Sequence, residues 1–115
     1  MGNCGMADSH PQIVTVFRNR LRSGVESEYG ELAPHISDLA HGMVGFVDAK
    51  TFVAADGERV TVVTFDSRES HNAWRDHPEH KLAQQRGISE FYETYSIQVG
   101  EVTYSHQFET TESPS

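Results

Sequence analysis

The chain has 115 residues and a formal net charge of −8, and 37% of its residues are hydrophobic. This length suits one domain, and the composition is typical of a globular protein rather than a disordered one. The excess of acidic residues disfavours binding to nucleic acid or to anionic membranes, and no apolar run is long enough to span a bilayer.

The two ends of the chain differ in composition from the middle. Residues 1–11 are polar and end in His-Pro, and residues 109–115 read Glu-Thr-Thr-Glu-Ser-Pro-Ser. Such segments predict flexible tails on either side of one ordered domain at 12–108. The single cysteine, Cys4, cannot form an internal disulfide, and no secretory signal is recognisable, so a cytoplasmic location is expected.

The first strand is predicted at 12–22, where β-branched residues are frequent. One face of this strand carries Phe17 and Asn19, and the other carries Val14 and Val16. Because side chains alternate between the faces of a strand, apolar residues on both faces indicate that both need cover.

The first helix is predicted at 24–41, because apolar residues recur there every three or four positions. Ser23 and Glu26 match a capping box at its start, and Gly42 is the expected end. Pro34 lies inside the helix and removes one backbone hydrogen bond, so a kink is expected near it.

A β-hairpin is predicted next, with strands at 44–54 and 58–66. Asp56-Gly57 forms the turn, because this dipeptide favours the positive φ angles of tight hairpins. Val60, Val62 and Phe65 do not keep a constant alternation, which predicts a bulge in the second strand.

Two short helices follow the hairpin. Ser67 is the predicted cap of the first, which carries Trp74. Asp76, with Pro78 two positions later, predicts a new helix start, and the second helix is expected at 77–86.

The last strand is predicted at 95–107, after a short helical turn, with a bulge at Gly100. The resulting order, β–α–β–β–α–β, is that of the split βαβ, ferredoxin-like fold of the α+β class. This fold is a four-stranded antiparallel sheet with helices on one face. Since Val14 and Val16 lie on the bare face, two sheets are expected to pair, which predicts a homodimer.

Three stretches of the chain, at 60–67, 74–80 and 83–92, resemble the antibiotic biosynthesis monooxygenase family. The resemblance extends over about 12–107. It implies a dimeric α+β barrel in which each subunit holds a pocket between its helices and its sheet. The family includes cofactor-free oxygenases of aromatic polyketides, heme-degrading oxygenases and quinol oxygenases.

The heme-degrading branch can be compared residue by residue. This chain resembles it in the Asn-Arg-Leu segment at 19–21 and in Trp74. Gln84, however, stands where those relatives place their heme-ligating histidine, and an amide is a poor iron ligand beside imidazole. Heme is therefore disfavoured, and no cofactor or metal is expected, since the sequence has no phosphate-binding loop and no cysteine cluster.

The candidate catalytic residues are Asn19, Trp74, His77 and His80. The Asn19 amide either holds an oxygen of the substrate or of O2, or bonds to nearby backbone. Trp74 either stacks on a flat substrate or anchors its helix in the core. His77 and His80 are candidate bases because imidazole titrates near neutrality, and two histidines alone do not predict a metal site.

The candidate pocket residues are Phe17, Gln84, Phe91 and Tyr92. With the resemblance, they favour a small cofactor-independent monooxygenase that acts on an aromatic, polyketide-like or quinol-like molecule. A non-catalytic dimer that binds a small apolar ligand would use the same pocket without a base. Heme binding through a rearranged ligand is a third hypothesis.

Overall fold

A four-stranded antiparallel sheet forms the centre of the computed structural model, which describes residues 10–110. Its strands are β1 (Ile13–Leu21), β2 (Phe46–Val53), β3 (Arg59–Phe65) and β4 (Tyr92–Glu101). They lie in the order β2-β3-β1-β4, and β1 pairs with both β3 and β4. The predicted ferredoxin-like fold is confirmed.

Three helices lie on one face of this sheet: α1 (Glu26–His41), α2 (Arg68–Arg75) and α3 (Pro78–Arg86). A single π-helical turn, Gly87–Phe91, connects α3 to β4. None of the helices described within 10–110 combines the length and apolarity that crossing a bilayer requires.

The core lies between α1, α2 and the end of β3. Phe65, Trp74 and Ala40 are buried against one another, and a ring of partly buried apolar residues surrounds them. Burial of each large side chain contributes about 1.5–3 kcal/mol, so this cluster fixes the position of α2 relative to the sheet. Trp74 is therefore held rigidly.

The helix starts only partly follow the prediction. Ser67 caps α2 as predicted, since its side chain accepts the Ser70 N–H. The predicted Ser23 cap is wrong: Ser23 lies in a turn with Gly24 (φ +87°), and the residue preceding α1 is Val25, which makes no side-chain cap. A local interaction remains, because the Glu26 carboxylate accepts the Gly24 N–H at 3.1 Å.

The start of α3 also differs from the prediction. The capping residue is His77, whose Nδ1 accepts the Glu79 N–H at 3.2 Å, and not Asp76. Asp76 instead ends α2 with its own N–H bonded to Asn72, and its carboxylate pairs with Arg75 at 3.0 Å. The carboxylate is therefore engaged elsewhere. Pro78 occupies the first turn of α3, as predicted.

Both predicted bulges are misplaced. In the hairpin, β3 pairs regularly with β1, and the irregularity lies in β2, between Phe46 and Asp48. The alternation of β3 looked broken because Val60 and Val62 point to the open face while Phe65 points to the helices. In β4 the irregularity lies between Tyr92 and Thr94, opposite the end of β1.

The last strand begins and ends earlier than predicted. β4 spans Tyr92–Glu101 rather than 95–107 because its partner β1 begins at Ile13, which pairs with Glu101. Beyond it, residues 102–110 have no regular structure, although the Val102 N–H still bonds to the Gln12 carbonyl. The predicted tails at 1–9 and 111–115 lie outside the described residues.

No described helix covers the second face of the sheet. Val14, Val16, Val60 and Val62 lie there, half-buried by their strand neighbours. Phe52, which pairs with Val60, is 51% exposed.

Candidate functional site

A cavity of about 450 Å³ lies between the helices and the covered face of the sheet. Its walls come from all four strands below and from all three helices above, and they are mostly apolar and aromatic. Phe17, Gln84, Phe91 and Tyr92, the predicted pocket residues, all lie at this wall. Their contact with a substrate stays a prediction.

Trp74 and His80 form a stacked pair at one side of the cavity. Their ring centroids are 4.1 Å apart and the planes differ by 12°. The turn between α2 and α3 brings them together, since the His80 Nδ1 lies 3.1 Å from the Trp74 carbonyl oxygen. Both rings line the cavity.

The hydrogen bond of His80 determines its tautomer. A carbonyl oxygen only accepts, so the Nδ1 of His80 must carry the proton and donate it. Burial lowers the pKa of His80, the hydrogen bond to the Trp74 carbonyl partly opposes this effect, and the nearby His77 and Lys81 lower the pKa a little further. The ring is therefore neutral near pH 7, and its Nε2 is a free acceptor with no donor among residues 10–110. This is the state that a general base requires.

The other candidate base, His77, occupies a different place. Its Nδ1 caps α3, and its ring lies 5.7 Å from the Trp74 ring without reaching the cavity wall. Of the two histidines, the structure therefore brings only His80 to the cavity.

Asn19 is almost completely buried, at 1% exposure. It does not line the cavity but lies two residues beyond Phe17 on the same face of β1. Neither its Nδ2 nor its Oδ1 has a hydrogen-bond partner among the described residues. The expected alternative of bonding to nearby backbone is therefore not seen, and a buried amide without partners costs about 1–3 kcal/mol.

Next to Asn19, an aromatic cluster surrounds the end of the cavity. Phe17 packs edge-on against Tyr92 at 5.4 Å, and Tyr29 packs in the same way against Phe91 at 5.6 Å. Burial raises the pKa of the Tyr92 phenol well above its usual range, and the neighbouring Tyr29 adds to this rise. Tyr92 therefore remains a hydroxyl donor at any physiological pH.

Sequence reasoning missed two polar residues of the wall, Arg59 and His71. Arg59 shares a face of β3 with Thr61 and Val63, at every second position, but this period does not say which face meets the helices. His71 lies three residues before Trp74, on the same side of α2. Burial lowers the pKa of His71, and the charges of Arg75 and Arg68 lower it further.

Metal binding has no support in the geometry of the described part. Between residues 10 and 110, no three His, Cys, Asp or Glu side chains converge as a metal ion would require.

Comparisons with known proteins agree with this architecture. A Bacillus subtilis protein, YqjZ, itself uncharacterised, is 33% identical over 99 residues, which is 86% of this chain and 87% of that protein. A Shewanella oneidensis structure superposes with a TM-score of 0.73 at 13% identity, covering 81% of this chain and 92% of that one.

A third similarity is to SnoaB, described as a cofactor-independent oxygenase of Streptomyces nogalater. Its structure has a TM-score of 0.71 at 10% identity, covering 83% of this chain and 96% of SnoaB. At this identity the likeness shows the fold alone. The family model for antibiotic biosynthesis monooxygenases matches residues 12–86. The chain therefore belongs to the antibiotic biosynthesis monooxygenase family.

Proposed function

We propose that this protein is a small cofactor-independent monooxygenase whose substrate is an aromatic molecule with an acidic C–H or O–H group. The observation that carries the proposal is His80, a neutral imidazole at the cavity wall with its Nδ1–H fixed by the Trp74 carbonyl and its Nε2 free. Family membership and the likeness to an oxygenase described as cofactor-independent support it.

The reaction balances with dioxygen as the oxidant. His80 Nε2 removes a proton from a CH2 group held between aromatic rings, as in anthrone, and leaves a delocalised carbanion. The carbanion passes one electron to O2, and the two radicals combine to a peroxide anion. This anion takes the proton back from His80 to give a hydroperoxide. Loss of water then leaves a carbonyl group. The substrate supplies all the electrons, so no external reductant is consumed.

The cavity assists this chemistry in two ways. Its apolar wall keeps water from the carbanion, and the aromatic side chains of that wall favour a flat aromatic substrate. Asn19 is proposed to hold an oxygen of the substrate or of O2, because its buried amide has unused hydrogen-bonding groups in the described structure.

Oxygen consumption with anthrone or a quinol tests the proposal. We expect turnover above the uncatalysed rate, and a decrease of roughly 100-fold in His80→Gln, which keeps a polar side chain but loses the base. His35→Gln, at an exposed position paired with Glu79, is the control and should retain activity. A wild-type rate equal to background would contradict the proposal.

Two alternatives predict different results in the same preparation. A non-catalytic ligand-binding protein would bind aromatic molecules equally well with His80 or Gln at this position and consume no O2. Heme binding through His80 is the second, because a neutral imidazole with a free Nε2 is also a metal ligand. Addition of hemin would then shift the Soret band in wild type but not in His80→Gln, and we expect no shift.

A further inference from the structure

The charges around the cavity contrast with those of the whole chain. The chain has 17 acidic residues against 9 Lys and Arg, yet no Asp or Glu of the described range 10–110 lines the cavity. Three cationic residues do: Lys50, Arg59 and Arg75. Among the described residues, the charged ones at this wall are therefore all cationic.

Of these three, Arg59 is the one available to a ligand. The Arg75 guanidinium is engaged by Asp76 at 3.0 Å. Lys50 alternates with Thr51, which faces the helices, and its ammonium lies 5.5 Å from the exposed Phe52 ring on the open face of the sheet. The Arg59 side chain makes no ion pair or hydrogen bond within residues 10–110, and its Nε is buried without a partner.

Arg59 lies where a second unsatisfied group is also buried. It pairs directly with Asn19 across β1 and β3, so their side chains leave the same face of the sheet, with Cβ atoms about 5 Å apart. The Arg59 guanidinium carbon lies 5.3 Å from the centroid of the Tyr29 ring. This cation–π contact is favourable, but it supplies no hydrogen-bond acceptor for the N–H groups of the guanidinium. At this end of the cavity, the guanidinium of Arg59 therefore has unused hydrogen-bond donors, and the neighbouring Asn19 amide has no partner among the described residues.

We propose that Arg59 is the specificity-determining residue of this cavity, and that it binds the carboxylate of an aromatic acid. The planar guanidinium matches a carboxylate in geometry and charge, and a buried guanidinium without any acceptor is costly until such a ligand arrives. The inference deepens the proposed function and rests on it, because it assigns a substrate class to the same cavity.

A matched pair of probes tests this inference without requiring turnover. 2-Naphthoate and 2-naphthamide have the same shape and differ in charge, and isothermal titration calorimetry gives the affinity of each. We expect wild type to bind the acid more tightly than the amide by roughly 10- to 100-fold, as expected for a charge-assisted hydrogen bond. Arg59→Gln should lose this ratio, and Arg59→Lys should retain part of it because it keeps the charge.

The control is Arg68→Gln, which removes the same charge from an exposed residue that pairs with Glu101 outside the cavity. It should bind both probes as wild type does. Thermal unfolding confirms that each variant is folded, and Arg59→Lys serves if Arg59→Gln is not.

Several outcomes would overturn the inference: equal affinity of wild type for acid and amide, no binding of the acid, or an equal loss of both in Arg59→Gln. None of them depends on oxygen consumption. Turnover of anthrone together with equal affinity for the acid and the amide would sustain the proposed function while removing this inference. Tighter binding of the acid than of the amide, without oxygen consumption, would support the role of Arg59 and contradict the proposed function.

Discussion

At the scale of single residues, the cavity histidine His80 makes the stability of the fold depend on pH. Its folded-state pKa is lowered by burial, whereas in the unfolded chain a histidine titrates near about 6.5. The unfolded state therefore binds more protons in the interval between these values. The stability contributed by neutral His80 is fully present above the unfolded value and is lost as the pH falls below it.

We therefore expect the free energy of unfolding to decrease as the pH falls from about 7 to about 5, and to decrease less in His80→Gln. Urea denaturation at a series of pH values measures this. Some slope should remain in the variant because the pKa of His71 is also lowered by burial. The same slope in both proteins would show that His80 is not held neutral by the fold.

Asn19 gives a second prediction at this scale. Its amide is buried without a partner among the described residues, so it is retained at a cost to stability. Asn19→Leu keeps a similar volume and removes the unsatisfied groups, and should raise the free energy of unfolding by about 1–2 kcal/mol while lowering oxygen consumption. Gln85→Leu, on the exposed side of α3, is the control and should gain nothing. A less stable Asn19→Leu protein would mean that the amide is bonded.

At the scale of elements, Gly45 determines how β2 approaches α2. It has a φ of +87°, and a Cβ added there would lie 2.4 Å from the Cβ of Ser70, which is buried. Gly24 has the same φ but nothing within 4 Å of an added Cβ. Alanine substitutions at the two glycines therefore distinguish the cost of backbone strain from the cost of steric overlap.

Gly24→Ala should cost about 1 kcal/mol, the strain of a left-handed backbone with a side chain. Gly45→Ala should cost at least about 2 kcal/mol more, because the capping Ser70 must also move. Chemical denaturation of the two variants gives the difference directly. Equal losses would indicate that the start of β2 shifts without resistance.

The helices, strands and turns also differ in how well sequence patterns predict them. Some signals contained within a few residues succeeded, as for the Asp56-Gly57 turn and the Ser67 cap, whereas the equally local Ser23 cap failed. The end of β4 was mispredicted because it depends on a partner element, since it follows from where β1 begins. The Asp76 cap failed because its carboxylate pairs with the adjacent Arg75. Among the site residues, Arg59 was missed because β3 is apolar on both faces, and the pattern alone does not say which face meets the helices.

At the scale of the whole molecule, the sheet face that no described helix covers is apolar and exposed. The valines of β1 and β3 form an apolar strip there, and Phe52 extends it to β2. Tyr104 and Phe108, in the segment after β4, are 80% and 84% exposed. A contiguous exposed apolar strip is typical of an interface. We infer that two copies pair through this face, as the family resemblance implies.

This inference predicts that Val62→Asp, at the centre of the strip, converts a dimer to a monomer, because a carboxylate buried in an apolar interface costs several kcal/mol. Light scattering after size-exclusion chromatography measures the mass. Val44→Asp makes the same change at a valine that is 89% exposed in the loop before β2, and should remain dimeric. If Val62→Asp does not fold, Phe52→Glu tests the same face from a more exposed position. A monomeric wild type, or a dimer that survives both changes, would place the interface elsewhere.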